Sequence, residues 1–177
     1  MKKALSMIVI ASASFGFMSA SHAQDKASYE ATQKSAKAEY KAAREKCDTL
    51  KDNAKDICQA EAKAARVKTE ANAEATYKGT DKARQKARKD IADADYEVAQ
   101  EKCDDLKGNQ KDVCEKEAKA AKESAIADAK AANATSEARK DAAQDKHDAN
   151  VAAQREKCDT LSGAEKSRCI SAANAGK

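Results

Sequence analysis

Three cysteine pairs of identical spacing, C-x10-C, constrain this chain more than any other feature: Cys47/Cys58, Cys103/Cys114 and Cys158/Cys169. Each pair sits in a copy of one unit. Residues 43 to 65 read AREKCDTLKDNAKDICQAEAKAA, and residues 99 to 121 read AQEKCDDLKGNQKDVCEKEAKAA, with 16 of 23 positions identical at an offset of 56. A third, shorter copy, REKCDTLSGAEKSRCISAANAG, begins at Arg155 at an offset of 55 from the second. A fixed period of this length predicts a tandem array of one supersecondary unit.

The spacing has a geometric consequence. On one continuous helix, residues eleven apart share a face but lie about 16.5 Å apart along the axis. Bridged cysteines need Cα atoms roughly 5.5 Å apart, so an intrachain bridge requires the chain to reverse between them. Gly108 and Gly163 stand midway between paired cysteines, Asp52-Asn53 holds the matching place in the first copy, and Gly79 separates the first two copies. These are turn residues. Gly108 is expected to end one helix in a left-handed conformation, with Asn109 capping the next and Asp112 in its first turn; Asn53 and Asp56 repeat the arrangement. The prediction is an all-α protein of tandem antiparallel hairpins, each clamped by one C-x10-C disulfide, forming an extended array or slender bundle. Its units are a signal peptide at 1–23, hairpins at 24–79 and 80–135, and a truncated hairpin at 136–177. The competing arrangement is an unbroken helix whose cysteine face forms disulfides between parallel chains. Zinc ligation would favour Cys or His two to four residues apart, and a redox pair would read C-x-x-C; neither spacing occurs.

Composition decides what packs. Beyond residue 23 there are 38 Ala but only 15 Leu, Ile, Val or Tyr, and no Phe, Trp or Met. A wide core of large side chains is excluded, while Ala, Lys, Glu, Gln and Arg without Pro favour long helices. Small-residue seams at helical spacing are expected along Cys114, Ala118, Ala121, Ala125, Ala129 and Ala132, along Cys58, Ala62, Ala65, Thr69, Ala73 and Thr76, and along Ala36, Tyr40, Ala43, Cys47 and Ala92, Tyr96, Ala99, Cys103. Ile91, Val98 and Leu106 form a bulkier line. Leu50, Leu106 and Leu161, each three residues after a first cysteine, are placed to cover the turns.

The start of the chain indicates export. Met1-Lys2-Lys3 precedes an uncharged, largely apolar run from Ala4 to Met18, and Ser21-His22-Ala23 supplies small residues at the −3 and −1 positions of a cleavage site. That is the layout of a secretory signal peptide, with an apolar run short of a membrane span. The destination expected is the periplasm, as a soluble chain without stable membrane insertion, and there six cysteines in local pairs are expected to be oxidised. The formal charge of +4 becomes +2 without Lys2 and Lys3. Acidic and basic residues alternate rather than cluster, which speaks against nucleic-acid binding.

Catalytic constellations are missing. His147, in a polar stretch, reads as a solvated residue rather than a general base. There is no nucleophile elbow, phosphate-cradling loop or metal motif, and no cofactor is expected. The pattern Cys103-Asp104-Asp105-Leu106-Lys107-Gly108 through Cys114 and Glu117-Ala118-Lys119-Ala120 resembles a group of proteobacterial exported, Ala/Lys-rich helical repeat proteins, often labelled TolA-like cell-envelope proteins. That resemblance spans nearly all of the chain beyond the signal and implies a role in the cell envelope. The function expected is a non-enzymatic structural or protein-interaction role with an envelope partner. The alternative is a stress or chaperone-like factor that binds unfolded clients.

Overall fold

The computed structural model describes residues 25–175; the signal-peptide reading of residues 1–23 lies outside them. Five helices follow one another: α1 (Lys26–Cys47), α2 (Asp52–Lys78), α3 (Asp81–Cys103), α4 (Asn109–Cys158) and α5 (Gly163–Ala175). Each packs against its neighbours in chain order. The result is an antiparallel array of hairpins rather than helices gathered around a shared centre.

The local chemistry of the ends explains the helix boundaries. The Asp25 side chain accepts from Ser28 N–H at 2.7 Å and caps α1. Between α2 and α3 the chain reverses in two residues. Gly79 takes φ +62° and donates to Ala75 O, and the Thr80 hydroxyl accepts from Ala83 N–H at 3.1 Å. A left-handed residue followed by an N-cap is an economical way to stop one helix and start the next.

The other three reversals are the cystine turns, and all three disulfides are intrachain: Cys47–Cys58, Cys103–Cys114 and Cys158–Cys169, with Cα separations of 5.5, 5.6 and 5.7 Å. The unbroken-helix alternative is thereby set aside. Asn53 Nδ2 donates to Glu101 O at 2.7 Å, so the cystine turns of the first two hairpins lie side by side at one end of the array. The Gly79 reversal lies at the other end.

Nothing interrupts α4 at the equivalent place one repeat later. Thr135 and Ser136 occupy the positions of Gly79 and Thr80, and the helix runs through them for 50 residues. At 1.5 Å per residue it is about 75 Å long. The sequence boundary at 135/136 therefore falls inside a single helix. The returning strand of the second hairpin is also the outgoing strand of the third. Beyond Lys140, α4 projects past the first three helices and carries α5 as a short splint near its far end.

Burial follows from this order. The inner helices have two neighbours each, so their buried alanines form two rows rather than one seam. On α2, Ala62 and Ala73 continue the face of Cys58, while Ala71 and Ala75 meet Ala87 and the half-buried Ile91 of α3. On α4, of the seam expected from Cys114 to Ala132, only Ala129 is fully buried, and Ala121, Ala125 and Ala132 are exposed. That helix has a neighbour on one side only, and a lone alanine row is incompletely covered by an equally small row opposite. In the seams of α1 and α3, Ala36, Cys47, Ala92 and Cys103 are buried and Tyr40, Ala43, Tyr96 and Ala99 half-buried, whereas Ala65, Thr69 and Thr76 of the seam expected on α2 are exposed.

Candidate functional site

The three cystine turns share the same main bonds. In each, the residue three after the first cysteine donates its N–H to that cysteine's carbonyl: Leu50 to Cys47 at 3.0 Å, Leu106 to Cys103 at 2.9 Å and Leu161 to Cys158 at 3.0 Å. In each, the acid that follows the cysteine meets a lysine seven residues on: Asp48–Lys55 at 2.9 Å, Asp104–Lys111 at 2.6 Å and Asp159–Lys166 at 2.8 Å. Bonding to Lys55 holds the Asp48 carboxyl below its ordinary range, and bonding to Asp104 raises the Lys111 ammonium. These pairs are exposed and individually weak, but each adds a second link across the turn beside the disulfide. They explain why the motif reads C-D-x-L through to K.

A residue at the entry to the second helix has a positive φ in all three copies: 50° at Asp52 and 57° at Gly163, the first residues of α2 and α5, and 56° at Gly108, the residue before α4. Two details differ from the capping expected from sequence. Gly108 enters α4 instead of terminating α3, which ends five residues earlier. Neither asparagine caps its helix: Asn53 and Asn109 lie within the first turns of α2 and α4, both of which start without a side-chain cap bond, and Asn53 Nδ2 instead donates to Glu101 O. The leucines do not cover the turns. Leu50, Leu106 and Leu161 are 41%, 36% and 38% exposed, the largest apolar side chains presented to solvent together with Val113.

Between helices, tyrosine and cation repeat with the same period. Arg66 lies 4.6 Å from the Tyr40 ring centroid, and Lys122, the residue 56 later, lies 4.8 Å from Tyr96. Each pair spans a hairpin and sets the charged head of the cation over the face of a half-buried ring. Tyr29 stacks on Tyr77 at 4.8 Å where α1 begins and α2 ends. Cross-helix ion pairs decorate the rims: Glu61–Lys102, Lys63–Glu97 and Lys68–Asp95 between α2 and α3, and Asp93–Lys122 between α3 and α4.

One charged node is unlike these. Asp81, in the first turn of α3, is 10% exposed and is bonded by Arg84, Lys140 and the Ser136 hydroxyl. Bonding to Lys140, Arg84 and the Ser136 hydroxyl holds its carboxyl far below the usual carboxylate range. The node ties the midpoint of α4 to the start of α3, at the level where α4 leaves the array.

His147 is half-buried on the α4 arm, near Val151, Arg155 and Asn174, where Arg155 Nε donates to Asn174 Oδ1 at 2.9 Å. Among the described residues, no group of three or more His, Cys, Asp or Glu is arranged to hold a metal ion, and no helix is long and apolar enough to cross a membrane. Three disulfides with no free cysteine in the chain suit an oxidising, exported setting.

No family model, curated protein or solved structure matches this chain. The residues themselves carry the functional reading. What sequence inspection singled out as sites, the six cysteines, the structure places at three equivalent tips. What it missed are the tip leucines as presented side chains and the Asp81 node. The first had a signal in the strict Cys-x-x-Leu repetition. The second had none, because Asp is too frequent in this chain for one to stand out.

Proposed function

We propose that the protein is a non-enzymatic structural or protein-interaction component of the cell envelope, acting in the periplasm as a rigid spacer with contact points at both ends. One observation carries this. Identical cystine-clamped tips, each presenting an exposed leucine beside an Asp–Lys pair, stand two together at one end and one alone at the far end of a helix about 75 Å long. An apolar side chain fixed on a rigid turn loses little conformational freedom on docking, which favours protein contacts. The charged rims keep the shaft solvated.

Photo-crosslinking in intact cells from Leu50 and from Leu161 tests this. A spacer yields a few discrete adducts, reproducible at each end and lost when the tip leucine is replaced by Ser at a neighbouring labelled position. A ladder of many adducts, together with suppression of aggregation of a heat-denatured substrate by the purified oxidised chain, would replace the spacer with a client-binding, chaperone-like role.

A further inference from the structure

A groove opens between α3 and α4 at the Gly79 end of the array, with a volume of about 400 Å³. Ala83, Ile126 and Ala129 are among its apolar lining residues, and five lysines surround it: Lys78 from the end of α2, Lys82, Lys86 and Lys89 from α3, and Lys130 from α4. Lys78 is paired with Glu74 and Lys86 with Asp90. Lys82, Lys89 and Lys130 enter no ion pair among the described residues, so their ammonium groups are open to a ligand, and Glu74, paired with Lys78, is the one carboxylate in the lining. The lysines of α3 stand four and three residues apart, spacings at which like charges on a helix repel. Asp90 offsets part of that repulsion at Lys86, and an anion in the groove offsets more.

The repeat supplies an internal control. Shifting by 56 residues, the positions of Lys86, Lys89, Ile126 and Lys130 correspond to Glu30, Gln33, Glu70 and Glu74 in the first hairpin, whereas Lys82, Ala83 and Ala129 correspond to Lys26, Ala27 and Ala73. The small residues that set the backbone spacing are the same in both copies. At the four changed positions, three carboxylates and an amide have become three ammonium groups and an isoleucine. A fifth lining position, Gln85, corresponds to Tyr29 and runs the other way, but the four charge-changing positions fall in one groove and turn it from acidic to basic and apolar, which a ligand explains.

We propose that this groove binds a small anionic amphiphile, a single unbranched apolar chain with a carboxylate or similar anionic head, free in solution. The chain lies along Ile126 between the alanines of α3 and α4, and the head sits among Lys82, Lys89 and Lys130. Its size is at the lower end of small-ligand sites, and its character, an apolar floor with a few convergent charges, is typical of them. A protein helix fits less well, since it needs a succession of pockets for anchoring side chains, and Ile126 is the one bulky residue on the floor. The site is independent of the spacer role, since it is remote from the tip leucines.

The test is calorimetric titration of the oxidised full chain at low ionic strength with dodecanoate below its micellar concentration, alongside dodecanol and acetate. Saturable binding of one dodecanoate per chain is expected, with dodecanol and acetate each at least tenfold weaker. The triple variant K82E/K89E/K130E should lose binding, K82Q/K89Q/K130Q should weaken it by about tenfold, and Ile126→Glu, which restores the first copy's carboxylate, should abolish it. Replacing Lys34, Lys37 and Lys41 of α1 by Glu should leave it unchanged. Equal loss in that α1 variant, no saturable heat, or binding to anionic vesicles without binding to dodecanoate would each overturn the proposal. Circular dichroism melts of every variant separate loss of the site from loss of the fold.

Discussion

At the scale of single residues, the most consequential side chain after the cysteines is Asp81. Three donors converge on a carboxylate that is almost fully enclosed, and two of them come from a helix position 55 or more residues away. Asp81→Asn keeps the shape and removes the charge. It should lower the melting temperature at pH 7 by a few degrees and free the middle of α4, seen as faster amide exchange around Ser136. The pH dependence has a definite sign. Because the folded carboxyl is held far below its ordinary value of 3.8, its stabilisation is present above that value and is lost as the pH falls below it. Wild type and Asp81→Asn should therefore differ at pH 7 and pH 5, and the difference should shrink steadily as the pH falls below about 4. A difference that stays constant down to pH 2 would remove the carboxylate from the account. The same scale shows where sequence inspection stopped. Asp52 carries the positive φ that glycine carries in the other two copies, but an aspartate gives no sign of this by itself. Only its alignment with Gly108 and Gly163 does.

Among elements, α5 depends most on its cystine. It has 13 residues, the length at which an isolated helix is marginal in water, and Ala173 is its only fully buried side chain. Buried alanines contribute at most about 1 kcal/mol each, whereas closing a loop this short contributes about 3 kcal/mol in the chain-entropy model. Replacing Cys158 and Cys169 together by Ser should unfold α5 while leaving α1 to α4 in place, with exchange protection lost from 163 to 175 alone. The corresponding change at Cys103 and Cys114 should lower the melting temperature without unfolding α3, which also packs on α2. Helix pairing was legible in advance because an intrachain C-x10-C bridge is incompatible with a straight helix and turn residues stand midway between the paired cysteines. The two-row burial of α2 and α3 was not, since periodicity shows which residues share a face but not how many neighbours a helix has. Alanine, small enough for a buried or an exposed place, gives no further clue.

For the whole molecule, the decisive fact is the missing break at Thr135-Ser136. Gly79 signals a reversal and Thr135 does not, so the contrast was readable once the copies were aligned; a fixed repeat offset alone implied a third separate unit. A compact chain of this size would have a radius of gyration near 15 Å, and α4 alone is about 75 Å long. Small-angle scattering should therefore give a radius above about 20 Å, with a distance distribution tailing to the length of the long helix. A symmetric distribution would mean that the arm folds back onto the array.

Lys140, at the Asp81 node, and Cys158, at the α5 turn, are separated along α4 by eighteen residues. Eighteen is five whole turns of 3.6 residues, so both project from the same side, and α5 lies in line with α3 along one flank of the shaft. Segment length here acts as a phase. Adding or deleting one residue anywhere in that stretch would swing α5 about 100° around the axis while shifting it by only about 1.5 Å. The bearing of the far tip is thus set by counting residues in solvent-facing sequence, where substitution is free and insertion is not.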